Sequence, residues 1–249
     1  MDEQPRITRP SFRWLTNLAG GCLLVLFLML GIAAVFSKPV QYIREKSATP
    51  TAIVTQVPHI LVRQPADENE VLHEDFSSNE KEWSLVYPYG KLEVIQGKLI
   101  LQSNIEQRYV MGKSQEFDAL GKTYYAQADF TTDIDNAFGY GLAFGMSDSL
   151  ATYYMFEVMP RTGYFHLLKF NTGKWEELVP FTQSHLKAFP EDNTLSVYFE
   201  DGKMELYING NLVASVSDRD YFRATGVGVF ANNNGYRLIV DNFFAYGNP

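Results

Sequence analysis

Six side chains suited to holding a sugar ring stand close together in this sequence. Tyr154, Glu157, Arg161, Tyr164, His166 and Trp175 lie on or between three short runs, "TYYMFEVMP", "GYFHLLKF" and "KWEELVPF". The flat face of an aromatic ring packs against the C–H surface of a sugar, while a few polar side chains fix the orientation of its hydroxyls. Trp175, beside Glu176 and Glu177 in a hairpin, has the least core-like setting of the six. The competing reading is that these aromatics fill an interior. The stretch "FGYGLAF" (residues 138–144), whose aromatics all fall on one face of a strand, reads that way.

Catalysis makes stricter demands. Hydrolysis of a glycosidic bond uses two carboxyl groups facing one groove. On a strand, alternation places residues an even number apart on one face. Glu157 is followed by Met159 and Thr162, and "DIDN" (residues 133–136) contains no glutamate. Glu176 and Glu177 are adjacent, so they point to opposite faces. His59, His73, His166 and His185 show no metal-ligand spacing, and Cys22 is the only cysteine. Zinc and thiol chemistry therefore lack a ligand set. No Gly-x-Ser-x-Gly turn occurs.

The elements that would position these residues read as strands. From residue 71 onward no stretch keeps a helical period, and short runs rich in Tyr, Phe, Val, Ile and Thr alternate with turn residues. "KLEVIQGKLILQ" is a hairpin about Gln96-Gly97, and "TLSVYFEDGKMELYINGNLVASV" is a three-strand meander turning at Asp201-Gly202 and Asn209-Gly210. "YYAQADFTTD", "AFGYGLAFGM", "GVGVFAN" and "YRLIVDNFFAY" add further strands, and only "DRDYF" (residues 218–222) suggests a helical turn. About a dozen strands at near-regular spacing predict an all-β, two-sheet antiparallel jelly-roll sandwich.

Three motifs carry a family resemblance: "HEDFSSNEKEW" at the start of this region, "LYINGNLVAS" within it and "GVGVFANNNGYRLIVDNFFAYG" at its end. Together they resemble the concanavalin A-like lectin/glucanase superfamily, with laminin G-like modules and the 3-keto-disaccharide hydrolase domain as the nearest branches. The resemblance covers about residues 71–249. It implies a jelly roll with one convex and one concave face, the concave face often holding sugar or peptide. The glucanases of the superfamily resemble a Glu-x-Asp-x-x-Glu pattern on one strand, which this sequence lacks. The resemblance also implies that the first and last strands lie side by side. Glu74 or Asp75 then approaches Asp241, where a structural calcium could join the chain ends. The alternative is that these carboxylates serve as turn caps.

The N-terminal part has a different character. Residues 14–37 are uncharged between Arg13 and Lys38, long enough to cross a bilayer as a helix. Cys22 follows "LAGG", yet the strongly apolar part lies after it, the wrong order for a lipoprotein signal; a cleavable signal is the second alternative. The expected organisation is a short cytoplasmic tail (1–13), a transmembrane anchor (14–37), a Pro-containing stalk (38–70) and the sandwich (71–249). The positive charges tie at three on each side of the anchor, Arg6, Arg9 and Arg13 against Lys38, Arg44 and Lys46. The short tail and the cysteine-free remainder favour a cell-membrane protein with its domain outside. The absence of any Asn-x-Ser/Thr acceptor favours a prokaryotic source. The net charge is −8, and the first 69 residues are slightly positive. The sandwich region is therefore acidic, which excludes nucleic acid as a partner.

The expected function is that of a membrane-tethered, non-catalytic carbohydrate-binding or adhesion-type module whose partner is a glycan or a cell-surface protein. The alternatives are a sugar hydrolase of the 3-keto-disaccharide type and a purely structural or protein-interaction domain. An exposed aromatic groove separates a sugar binder from a spacer.

Overall fold

The computed structural model describes residues 70–248, apart from 106–107, 115–119, 221–225 and 233–234. The expected tail, anchor and stalk therefore lie outside the described residues, save Glu70. Among the described residues no helix is long and apolar enough to cross a membrane. The chain has fifteen strands there: β1 Glu70–Glu74, β2 Ser84–Leu85, β3 Gly90–Ile95, β4 Lys98–Ser103, β5 Tyr109–Lys113, β6 Thr123–Thr132, β7 Tyr140–Met146 and β8 Thr152–Met159. They continue as β9 Tyr164–Asn171, β10 Lys174–Gln183, β11 Asn193–Glu200, β12 Lys203–Ile208, β13 Asn211–Ser217, β14 Gly226–Asn232 and β15 Leu238–Asn248.

The hairpins turn where the dipeptides predicted. Gln96 (φ 53°) and Gly97 (φ 72°) both take positive φ, as a two-residue type I′ turn requires. Asp201-Gly202 and Asn209-Gly210 repeat this pattern, and so does Thr172-Gly173 between β9 and β10. The "DRDYF" stretch shows no helix in its described part. There Asp218 Oδ1 accepts from the Asp220 N–H at 3.0 Å, a side-chain-closed turn.

The strands form two antiparallel sheets. The eight-stranded sheet runs β13-β12-β11-β6-β15-β4-β3, with β1 also paired to β15. The seven-stranded sheet runs β10-β9-β8-β7-β14-β5-β2. Strict alternation along β6 sends Tyr124, Ala126, Ala128 and Phe130 into the space between the sheets and turns the odd-numbered residues outward. Phe130 of one sheet stacks on Tyr140 of the other at 5.6 Å. The fold is the all-β two-sheet sandwich expected.

β8 is buried on both faces, and that decides what the seven-stranded sheet can do. Tyr154, Phe156 and Val158 enter the main core. Tyr153 and Met155 point the other way and join Met111, Ala143, Met146 and Phe230 in a second apolar layer. The outward face of this sheet is thus paved rather than bare. The domain's ends meet through β1 and β15, with His73 opposite Phe244 and Glu74 opposite Phe243. Trp83 packs there between Phe76 (5.5 Å) and Phe243 (5.1 Å). The "HEDF…W" and "VDNFF" motifs therefore carry the closure of the sandwich.

Candidate functional site

Glu157 is the centre of a polar cluster on the paved face. Its side chain is 2% exposed, and donors from three other strands reach it. His166 Nε2 of β9 lies 2.7 Å from Oε2, the Tyr109 hydroxyl of β5 donates to Oε2 at 3.3 Å, and the Asn232 amide of β14 donates to Oε1 at 2.9 Å. β7 lies between β8 and β14, so a side chain there would block this reach. Glycines remove the obstacle: a Cβ at Gly139, just before β7, would sit 2.1 Å from Glu157 Oε1. The Tyr109 hydroxyl is pushed far above its ordinary pKa by burial, then by the charge and hydrogen bond of Glu157, so it is fixed as a donor.

An aromatic patch surrounds this cluster. Trp175 is 41% exposed, and its ring rests on Phe170 (4.9 Å), Tyr109 (5.8 Å) and Tyr153 (5.9 Å). Phe181, 54% exposed, lies parallel to the His166 ring at 4.2 Å. Tyr164 at the start of β9 is exposed as well. A carboxylate that accepts from three donors and is closed off from water is a poor acid or base for a substrate. It is well suited to locking Tyr109, His166 and Asn232 in place beneath exposed rings.

Four of the six residues singled out from sequence thus come to one face: Glu157, Tyr164, His166 and Trp175. Arg161 is exposed in the turn between β8 and β9. Tyr154 points the opposite way, fully buried between the sheets and stacked on Phe144 at 5.4 Å. It shares a run with Glu157 but is three residues away, and an odd separation on a strand reverses the face. Tyr109, Asn232 and Phe181 were not read as site residues. Tyr109 begins a strand of five residues, too short to show alternation, and Asn232 reads as a turn residue in "FANNNG".

Lys169 is a second charged group drawn inside. It is 5% exposed and donates to Asp218 (2.5 Å) and Asp220, with Glu176 at 3.9 Å. The first two lie just past β13, so the contact ties the edges of both sheets. Burial pushes the Lys169 pKa down, but the two aspartate hydrogen bonds and charges outweigh it and leave it raised.

At the chain ends, the residues proposed for calcium are engaged as follows. Glu74 Oε1 accepts from the Phe76 N–H at 2.8 Å, while Oε2 is buried with no hydrogen-bond partner among the described residues. Asp75 Oδ1 accepts from the Ser77 N–H at 2.9 Å in its own turn, which lowers its pKa. Asp241 Oδ2 pairs with Lys98, and Oδ1 accepts from the Asn242 N–H at 2.9 Å. Glu74 Oε2 suits a cation, but the Lys98 ammonium already neutralises Asp241. Among the described residues no group of three or more His, Cys, Asp or Glu is arranged to hold a metal.

No family model matches the sequence, and no curated protein is similar to it. Solved structures are similar in fold. One is the carbohydrate binding module CBM66 from Bacillus subtilis (15% identity, 66% of this chain and 95% of that one, TM-score 0.56). Another is a Bacillus subtilis protein of unknown function with a galectin-like fold (12% identity, 73% and 97%, TM-score 0.57). A third is the catalytic domain of an endo-1,3-beta-glucanase (laminarinase) from Thermotoga petrophila RKU-1 (10% identity, 73% and 98%, TM-score 0.53). These likenesses show the fold: the two-sheet antiparallel sandwich seen here is shared with a carbohydrate binding module, a galectin-like protein and a glucanase catalytic domain.

Proposed function

We propose that this chain is a non-catalytic carbohydrate-binding module, taking a glycan across Trp175, Phe181 and Tyr164 on the outward face of the seven-stranded sheet. One observation carries the reading: three exposed aromatic rings lie over a buried Glu157–His166–Asn232–Tyr109 cluster in which both Glu157 oxygens are hydrogen-bonded. That combination supplies stacking surface together with oriented polar groups. The similar structures include both a carbohydrate binding module and a glucanase catalytic domain, so fold likeness alone does not separate binding from hydrolysis. The engagement of both Glu157 oxygens favours binding. The apolar residues 14–37 would tether the module to the cell membrane with the sandwich outside, placing it to meet surface or extracellular glycan.

The test is a glycan array with the full-length chain, kept in a detergent without a sugar headgroup, alongside Trp175→Ala. Specific retention of a glycan that is lost in Trp175→Ala, with no reducing sugar released, supports the reading. Release of reducing sugar or a keto-sugar product replaces it with the hydrolase. Protease added to intact cells tests the orientation: removal of the sandwich supports an outside location, and its protection refutes it.

A further inference from the structure

The other sheet carries a feature that the Trp175 face does not explain. On the outward face of the eight-stranded sheet, Asp129 of β6 stands directly opposite Asp241 of β15. Like charges placed opposite each other destabilise a sheet pair, and here the surroundings offset them. Lys98 pairs with Asp241, while Asp129 accepts from the Thr194 hydroxyl at 2.6 Å and the Asn242 amide at 2.8 Å. A cavity of about 500 Å³ opens over these two carboxylates. Ile100 and Ile239 lie among its apolar lining, and Lys98 and Arg237 bring cations to it. Arg237 is itself paired with Asp133 at 3.0 Å.

The same strands continue into a row of rings. Tyr198 of β11, Tyr125 of β6 and Tyr246 of β15 are successive partners across three strands. In the next row Ser196, Gln127 and Phe244 follow one another in the same way. Tyr125 lies 5.9 Å from Phe244 and 6.3 Å from Tyr246. Its hydroxyl donates to Gln127 at 2.7 Å, so amide and ring hold each other in place. The bulge at Asn242 shifts the register of β15, and this keeps Ile239, Asp241, Phe244 and Tyr246 all outward. From Thr131 to Tyr125 the tract runs ~20 Å along β6.

We infer that this face is a second ligand site, taking a neutral oligosaccharide with its rings on Tyr125, Phe244 and Tyr246 and one end in the cavity. The charges turn away an anionic ligand. Lys98 and Arg237 already have carboxylate partners, so an anion has to break an ion pair and also meets Asp129 and Asp192. Sugar hydroxyls add to those pairs instead, donating to lone pairs that Asp129 and Asp241 still hold and accepting from the cations. The site shares only its class of ligand with the Trp175 face and stands or falls independently of it.

The test titrates the full-length chain, in a detergent without a sugar headgroup, with soluble gluco-, fructo-, xylo- and galacto-oligosaccharides. The NMR signals of the Ile100 and Ile239 methyls and the Trp175 indole N–H are followed. Expected are shifts of the isoleucine methyls that persist in Trp175→Ala and weaken about tenfold in Tyr246→Ala, ~1.4 kcal/mol. Ile95 lines the cavity at 47% exposure, so Ile95→Asp blocks the site without disturbing the core and serves if Tyr246→Ala fails to fold. Shifts confined to the indole, unaltered by Ile95→Asp, overturn this site and leave the Trp175 reading standing. Isoleucine shifts alone, unaltered by Trp175→Ala, support this site and remove the other. An absence of shifts with every oligosaccharide overturns both.

Discussion

Replacing Glu157 tests whether the buried cluster is built as described. In Glu157→Ala, three donors lose their acceptor at once: His166 at 2.7 Å, Asn232 at 2.9 Å and Tyr109 at 3.3 Å. Stranding a buried polar group costs roughly 1–3 kcal/mol, and three are stranded together here. His166 is 5% exposed, so water replaces little of what it loses. The expected loss is about 3–5 kcal/mol. For a domain of this size, where 1 kcal/mol moves the melting point by roughly 2–4 °C, that is a fall of roughly 6–20 °C. Glu157→Gln separates charge from shape. Its amide oxygen still serves Asn232, and its N–H₂ can donate to His166 Nε2 in the tautomer that carries its proton on Nδ1, the nitrogen that faces Glu177 at 3.8 Å. Only the Tyr109 hydroxyl then loses its acceptor, at the weakest of the three contacts, so the loss is about 1–2 kcal/mol. Urea unfolding of both variants beside wild type is the assay. Losses equal for Ala and Gln, or both below about 0.5 kcal/mol, refute the hub and with it the claim that Glu157 positions the binding face.

Two further outcomes follow from the charged groups. The raised Lys169 pKa means its contribution to stability is fully present below its ordinary value of 10.5 and is lost as the pH rises through the higher folded value. Wild-type stability should therefore decline above about pH 10.5 more steeply than that of Lys169→Met, and superimposable alkaline limbs exclude the ion pairs with Asp218 and Asp220. Lys98 and calcium compete for Asp241, so the rise in melting temperature on adding millimolar calcium should be larger in Lys98→Ala than in wild type. Equal responses, or none in either protein, remove calcium from the chain ends.

The fold was legible because its punctuation is local. Gln96-Gly97, Asp201-Gly202 and Asn209-Gly210 each specify a hairpin within two residues, and alternation in "YYAQADFTTD" assigns every side chain of β6 to a face. The site was only partly legible. Trp175, His166 and Glu157 could be picked out because they are unusual in their runs, but β8 is buried on both faces, so its pattern could not say that Tyr154 enters the core while Glu157 leaves it. Tyr109 and Asn232 reach Glu157 from 48 and 75 residues away, a proximity that only the strand order creates. The opposed aspartates of the other sheet were hidden for the same reason. Asp241 stands out in its motif only as a partner for Glu74 or Asp75, Asp129 does not stand out in its strand, and the meeting of the two depends on register.

The pairing of β1 with β15 has a mechanical consequence. A pull entering through the chain before Glu70 acts first on the outermost pair of that ladder, Glu70 with Tyr246, and then on the pairs behind it one at a time. Among the described residues β1 pairs only with β15, so it can peel away while both sheets stay intact. Peeling its five residues lengthens the connection by ~17 Å. It stops at Phe76, which is fully buried against Trp83 and cannot leave without opening the core. If the chain is anchored before Glu70 and holds a glycan on the Trp175 face, as proposed, it carries a short shock absorber with a hard stop. Moderate tension would then be absorbed in β1, while the Trp175 face, on the opposite sheet, keeps its shape.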